Sequence, residues 1–487
     1  MTVKNKVQLI TYPDSLGGDL AKLHDNLQTH FEGLFGAIHI LPPFPSSGDR
    51  GFAPLDYTLI DPAFGSWEDI KKLGESYDIA LDLMVNHISA RSKYFQDYLY
   101  HGEKSEYADM FLPLTKFWKS GVPDEEDLAA IFLRRPLPYS TFIIKDTNEP
   151  VNVWTTFGKT DPSEQIDLDI RSPKTIEVLK HFFEVFAKNN VNLVRLDAIG
   201  YVIKKPGTSC FFVEPEIYEF VDWITDIAKS YNISLLPEVH ADIATTYKLA
   251  DRGHYIYDFV TPYMVLDLMI NKNKVDFLQY LENRPHKQFT MLDCHDGVPV
   301  IPDLNGLYNA ENARKVVEVC AQHGAQFSRV LSDEHKGAGG FDIHQINGTY
   351  YSLLGENDAA YVLARAIQLF IPGIPQIYYV GLLAGRNDYD KPEAQADSRE
   401  LNRHNYINDE IASATQNALV QKICALIKFR NTYEAFDGQF SMSITTAGFC
   451  LSWEKDVLAC TLDINIEDCK AAVRYVNENG VEASIAL

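Results

Sequence analysis

Residues 191–201 read VNLVRLDAIGY, a buried β-strand in every respect except that it carries two charges. Arg195 and Asp197 stand two residues apart, so in an extended chain both point to the same side. Strands of a parallel sheet covered on both faces are near-continuous apolar runs, and an unpaired charge among them is costly. The two residues must therefore answer to each other, to a ligand, or to both.

Seven further runs share that strand character: VQLITY (7–12), AIHILP (37–42), IALDLMVNH (79–87), SLLPEVH (234–240), YIYDFV (255–260), FTMLDCHD (289–296) and IPQIYYV (374–380). Between several of them lie DLAKLHDNLQTHF, WEDIKKLGESY, PKTIEVLKHFFEVFAKN and PEIYEFVDWITDIAKSY, with apolar residues at helical intervals of three and four. Repeated β-then-α units with eight parallel strands predict an α/β fold, a (β/α)8 TIM barrel. The intervals 88–165 and 297–356 are too long for crossovers and read as two subdomains, B and B′, inserted over the catalytic face. After ALVQKICALIKFRNTYEAF the pattern turns to short alternating runs, which predict a small C-terminal β domain. The expected organisation is barrel 1–87, domain B 88–165, barrel 166–296, domain B′ 297–356, barrel 357–435 and β domain 436–487.

The 487 residues exceed the roughly 250–300 at which a single core stops growing, which suits one large domain with attachments. Forty-four basic against 67 acidic residues leave a net charge of −23, which argues against nucleic acid or an anionic membrane as partner. An anionic substrate would need a local basic cluster. The seven cysteines (210, 294, 320, 424, 450, 460 and 469) show no CxxC spacing and fit a reducing cytoplasm. No run approaches the roughly 20 apolar residues that span a bilayer, so a cytoplasmic protein is expected.

The polar residues that break the apolar runs cluster at their C-terminal ends: Asn86 and His87, Arg195 and Asp197, Glu238 and His240, His295 and Asp296. In a barrel those ends converge on one cup. Two or three carboxylates there suit glycosyl transfer, in which a retaining enzyme uses an ionised nucleophile and a carboxylic acid about 5–5.5 Å away. Arg195 would keep Asp197 ionised, and desolvation in an apolar strand would keep Glu238 protonated. The histidines lack an HExxH frame or a cysteine partner and no calcium loop is present, so no metal is expected.

In order and approximate spacing, DLMVNH (82–87), VRLDAIGY (194–201), LLPEVH (235–240) and LDCHDG (292–297) resemble the four short motifs of the α-amylase superfamily of glycoside hydrolases, family 13. GDRGFAPLDY (48–57), VWTTFG (153–158), EQIDLDI (164–170), FDIHQINGTYYS (341–352), PGIPQIYYVGLLAG (372–385) and ELNRHNY (400–406) resemble its sucrose phosphorylase branch more closely. The resemblance implies Asp197 as nucleophile, Glu238 as general acid/base and Asp296 as transition-state stabiliser. It implies Asp49 and Arg403 at the far hydroxyls of a glucosyl ring, with His87 and His295 at its edges. Phe52 and Phe157 become its aromatic walls, Tyr201 and Gln165 its neighbours, and Asp342 and Gln345 part of a loop facing the acceptor. Arg134 and Arg135 match a basic, phosphate-binding loop. Inorganic phosphate then enters as cosubstrate with no cofactor, and the enzyme acts as a monomer or homodimer.

One position departs from the branch: His344 stands where a tyrosine is typical. A histidine beside Arg134 and Lys336 would add a donor and partial positive charge at the acceptor. That favours sucrose 6′-phosphate, giving α-glucose 1-phosphate and fructose 6-phosphate. Plain sucrose, glucosylglycerol and the anionic glucosylglycerate remain alternatives. A hydrolase would release sugar without phosphate, and a sugar-binding protein without activity is disfavoured by the three carboxylates.

Overall fold

A computed structural model of the chain describes residues 3–301, 304, 307, 309–331, 336–395, 397–477 and 480–487. Eight strands form one parallel sheet: β1 Gln8–Thr11, β2 Ala37–Ile40, β3 Asp78–Met84, β4 Val191–Asp197, β5 Ser234–Pro237, β6 Ile256–Asp258, β7 Gln288–Thr290 and β8 Ile374–Tyr378. Their spatial order is β6-β7-β8-β1-β2-β3-β4-β5. The two ends of that order pack against one another, so the sheet nearly closes into a barrel.

Each expected run contains one of these strands, but the strands end early. IALDLMVNH divides at Met84, whose N–H donates to the Tyr57 hydroxyl at 2.8 Å; His87–Ser89 then pairs antiparallel with Gln165–Asp167. β4 stops at Asp197 because Ala198 adopts a left-handed φ of 53°, and IPQIYYV becomes helical from Tyr379. The helices follow ordinary rules. Pro173–Lys188 starts where the Ser172 side chain accepts the N–H groups of Lys174 and Thr175, has proline at its first position, and buries Leu179, Phe182, Phe183 and Phe186.

The barrel interior is layered by the period of two along each strand. Ala80, Leu193, Leu236, Tyr257, Phe289 and Ile374 belong to one apolar cluster. Two residues on from Ala80 and Leu193 come Asp82 and Arg195, partners in the β3–β4 register. With His39, Gln376 and Gln8 they make a buried polar layer. Asp197 and Glu238 follow at the strand ends, above that layer.

The interval 88–165 carries the helix Lys93–His101 and an antiparallel hairpin of Tyr139–Ile144 with Glu149–Trp154. The interval 297–356 carries the helix Ala310–Gln322 and a three-stranded antiparallel sheet of Val298–Pro299, Ile343–Asn347 and Gln326–Arg329. The chain ends in a five-stranded antiparallel meander from Gln439 to Ala486. Among the described residues no helix is long and apolar enough to cross a membrane.

Candidate active site

The ends of β4 and β5 deliver Asp197 and Glu238 to a single cavity of about 330 Å3, which also takes in Asp296 beyond β7. Arg195 lies beneath, buried. Its Nη1 donates to Asp82 at 2.5 Å and to Asp197 at 2.8 Å, and its Nη2 lies 3.5 Å from Glu238. Glu238 also accepts the Ala198 N–H at 3.0 Å, which the left-handed turn after β4 aims back at it, and lies 2.7 Å from His240 Nε2.

These contacts decide where protons sit. Burial pushes the Asp197 carboxyl up, to about 8, with the charge of Glu238 adding and Arg195 opposing. Burial also opposes ionisation of Glu238, but His240, Arg195 and the Ala198 N–H outweigh it and hold this carboxyl at about 2. The expectation of a protonated Glu238 follows from its apolar strand alone; in the free site His240, which faces it directly, and Arg195 pull that carboxyl down instead. Across the neutral range the pair holds one proton between them. Asp296 lies well below the usual carboxylate range: despite burial, the guanidinium groups of Arg399 and Arg403 hold it ionised.

At one end of the cavity the Phe52 ring stacks on His295 with centroids 4.9 Å apart and planes 5° from parallel. The Phe52 carbonyl accepts from Gln165 Nε2 at 2.9 Å and His87 Nε2 at 3.0 Å. Phe157 meets Tyr201 edge-on at 4.9 Å and His87 at 5.5 Å. Burial lowers both histidines, His295 to about 3, so they act as neutral hydrogen-bonding edges.

Asp49 has a different arginine from the one expected. Arg399 donates from Nη2 to Asp49 at 2.8 Å and from Nη1 to Asp296 at 3.0 Å, and Lys159 reaches Asp49 at 3.1 Å. Arg403 is buried outside the cavity lining, donating to the His295 carbonyl at 2.9 Å and to Glu400 at 3.0 Å. The 3-10 helix Ser398–Asn402 explains the exchange: Arg399 leaves it toward the cavity, and Arg403, just past its end, turns into the core.

The Arg134 guanidinium sits 5.9 Å above the Phe157 ring and donates to His344 Nε2. Burial, and then the charge of Arg134, push His344 well below its ordinary value. His344 is thus a neutral acceptor that aims Arg134, not the partial cation expected. Gln345 lines the cavity beside Ser328. Three expected residues stand elsewhere. Asp342 accepts from Arg329 at 2.5 Å and does not line the cavity. Arg135 donates to Ser140 Oγ and Thr155 Oγ1, both at 3.0 Å, and so staples the first insert. Lys336 is half-buried and does not line the cavity.

Arg399, Lys159 and Asp397 lie outside the short sequence motifs. The last joins Lys159 at 2.7 Å and Arg399 at 2.8 Å, and all three line the cavity. SRELNRHN offers two arginines four apart, and only the tertiary turn chooses between them. His240 was visible as a strand-end residue but had no role. Glu238, His240 and Asp296 present ligand atoms within 4.8 Å of one another, a spacing that could hold a metal ion.

Known proteins resemble this chain in sequence and in fold. The family described as Alpha amylase, catalytic domain, matches residues 9–296. The chain is 57% identical over 483 residues to the sucrose 6(F)-phosphate phosphorylase of Thermoanaerobacterium thermosaccharolyticum, covering 99% of each chain. It is 43% identical over 438 residues to the sucrose phosphorylase of Streptococcus mutans, covering 90% of this chain and 89% of that one. The crystal structure of sucrose 6F-phosphate phosphorylase from Thermoanaerobacter thermosaccharolyticum superposes with a TM-score of 0.99 at 56% identity, covering 100% of this chain and 99% of that one.

Proposed function

The chain belongs to the α-amylase catalytic-domain family, and from that premise we propose that it transfers the glucosyl group of sucrose 6′-phosphate to inorganic phosphate with retention. The products are α-D-glucose 1-phosphate and fructose 6-phosphate. It is a phosphorylase of the glycosyltransferase type.

In the first displacement an Asp197 oxygen attacks the anomeric carbon, the glycosidic C–O bond breaks, and Glu238 gives its proton to the leaving oxygen. The proton shared by the carboxyl pair must therefore reside on Glu238. Arg195, in reach of both carboxylates, and His240, in contact with one, are the groups that can shift it. In the second displacement a phosphate oxygen attacks the same carbon, the Asp197 ester breaks, and Glu238 takes up the proton released. Asp296, kept ionised, faces the positive charge that develops on the sugar.

The observation that carries the phosphorylated acceptor is Arg134. Among the described residues no carboxylate pairs with it, in contrast to Arg399 and Lys159, and it faces the cavity. In a chain of net charge −23 a dianion is the ligand such a guanidinium suits. Phosphate serves as cosubstrate, and no cofactor is assigned, because the carboxyl pair supplies both the nucleophile and the acid. The seven free cysteines support a cytoplasmic setting.

The test is release of α-glucose 1-phosphate in phosphate buffer from sucrose 6′-phosphate and sucrose in parallel, with Asp197→Ala as control. Strong preference for the phosphorylated sugar is expected. Preference for sucrose would remove Arg134 from acceptor recognition, and free glucose in place of glucose 1-phosphate would make the enzyme a hydrolase.

A further inference from the structure

The turn that presents Asp49 to the cavity is conformationally expensive. Asp49 and Arg50 both have left-handed φ, 46° and 50°, and Gly51 follows at 110°, where an added Cβ would meet the Pro42 carbonyl oxygen at 2.8 Å. Such geometry at non-glycine residues persists only where the surroundings over-determine it. The base of the turn is closed by the Ser47 N–H donating to the Ala53 carbonyl at 3.0 Å. Its tip is held by Arg50.

The Arg50 guanidinium lies 4.0 Å from the centroid of the Tyr12 ring, just past β1. Nη1 donates to the Arg403 carbonyl at 3.1 Å. Nη2 donates to Asn405 Oδ1 at 2.5 Å, and more weakly to Asp14 Oδ1 and Ser15 Oγ, both at 3.3 Å. One side chain therefore ties three segments: the residues after β1, the strained turn, and the stretch 399–405. That last stretch supplies Arg399, the partner of Asp49 at 2.8 Å. Asp49 and Arg399 are thus joined twice, directly inside the cavity and from behind through Arg50, which does not line it.

We propose that Arg50 is a positioning residue for donor recognition: by clamping the Asp49 turn to the 399–405 segment it sets the separation and direction of the Asp49–Arg399 pair. Arg50 has this role only through Asp49, and so rests on the reading of Asp49 as the group that holds the far hydroxyls of the glucosyl ring. The ring hydroxyl farthest from the anomeric carbon is the 4-hydroxyl, which makes it the probe.

The experiment compares kcat/KM for α-D-glucosyl fluoride and its 4-deoxy analogue, with inorganic phosphate as acceptor, in the full-length enzyme and in Asp49→Ala, Arg50→Gln and the double variant. Arg50→Gln is expected to cut the preference for the 4-hydroxyl by about tenfold or more, chiefly through KM of the parent donor. The double variant is expected to discriminate no less than Asp49→Ala alone, the non-additivity of residues acting as a unit. Asn405→Ala, which removes the shortest anchor of Arg50 and leaves the turn's own sequence intact, is expected to move the preference in the same direction, and it decides the matter if Arg50→Gln does not fold. Discrimination lost in Asp49→Ala but intact in Arg50→Gln or Asn405→Ala overturns the clamp, as does an equal loss on both donors. Discrimination intact in Asp49→Ala overturns the reading of Asp49 and the clamp with it.

Discussion

His344 accepts a hydrogen bond from Arg134 while burial keeps its imidazole uncharged. The pair therefore contributes one positive charge to the acceptor end of the cavity, not two, and His344 acts by direction. Arg134→Ala is expected to remove most of the preference for sucrose 6′-phosphate over sucrose, and His344→Tyr a smaller part of it. A charge-assisted hydrogen bond is worth about 1.5–3 kcal/mol, or about 10–100-fold in relative kcat/KM. Steady-state kinetics on both sugars check this. An unchanged ratio in both variants would remove the pair from acceptor selection.

Arg399 and Arg403 have opposite expected phenotypes. Arg399 lines the cavity with donors on Asp49 and Asp296, so Arg399→Ala should lower kcat/KM by about 10–100-fold for each charge-assisted hydrogen bond removed, with Tm nearly unchanged. Arg403 is 1% exposed, and truncating it leaves the His295 carbonyl without its donor and Glu400 without its nearest cation. Arg403→Ala should mainly destabilise the fold, by about 3–5 kcal/mol as for a broken buried pair. Thermal melts alongside donor kinetics separate the two, and a variant of Arg403 with full stability and no activity would reverse the assignment.

The barrel was legible because buried parallel strands are unbroken apolar runs, and the period of two alone puts Arg195 and Asp197 on one side. Strand ends were not legible, since they depend on distant groups such as the Tyr57 hydroxyl on Met84 N–H. Nor was the sharing of Arg195 among Asp82, Asp197 and Glu238, because the Asp82–Arg195 register joins residues far apart in the chain. Side-chain charge was the least legible property. Glu238 was expected to be neutral from its apolar strand and His344 to be partly charged from its basic neighbour; the His240 contact reverses the first and complete burial the second.

Exhaustive dialysis of the protein against a chelator is expected to leave kcat and Tm unchanged. Glu238, His240 and Asp296 are close enough to attract a divalent cation, yet all three already have protein partners: Glu238 and His240 pair with each other, and Asp296 with Arg399. Activity lost on chelation and restored by zinc alone would place a metal among these three groups.

The pH dependence of kcat/KM should have one accessible limb, on the alkaline side. The competent pair carries a single proton, and in the free enzyme the last proton leaves near the Asp197 value of about 8, while the other carboxyl stays ionised down to about 2. The direction follows from burial and the charge of Glu238: both raise Asp197, so the proton is held through the ordinary carboxylate range and is lost as pH rises through about 8. Because kcat/KM reports the free enzyme, its limb tracks the pair as a unit, whichever carboxyl carries the proton. In Glu238→Gln the repulsion disappears and the Asp197 value should fall. With glucosyl fluoride, whose leaving group needs no acid, the fluoride burst of that variant should then be level from pH 6 through about 9. A wild-type profile that stays level beyond pH 9, or a variant burst that keeps the alkaline limb, would mean that the titrating proton belongs to another group.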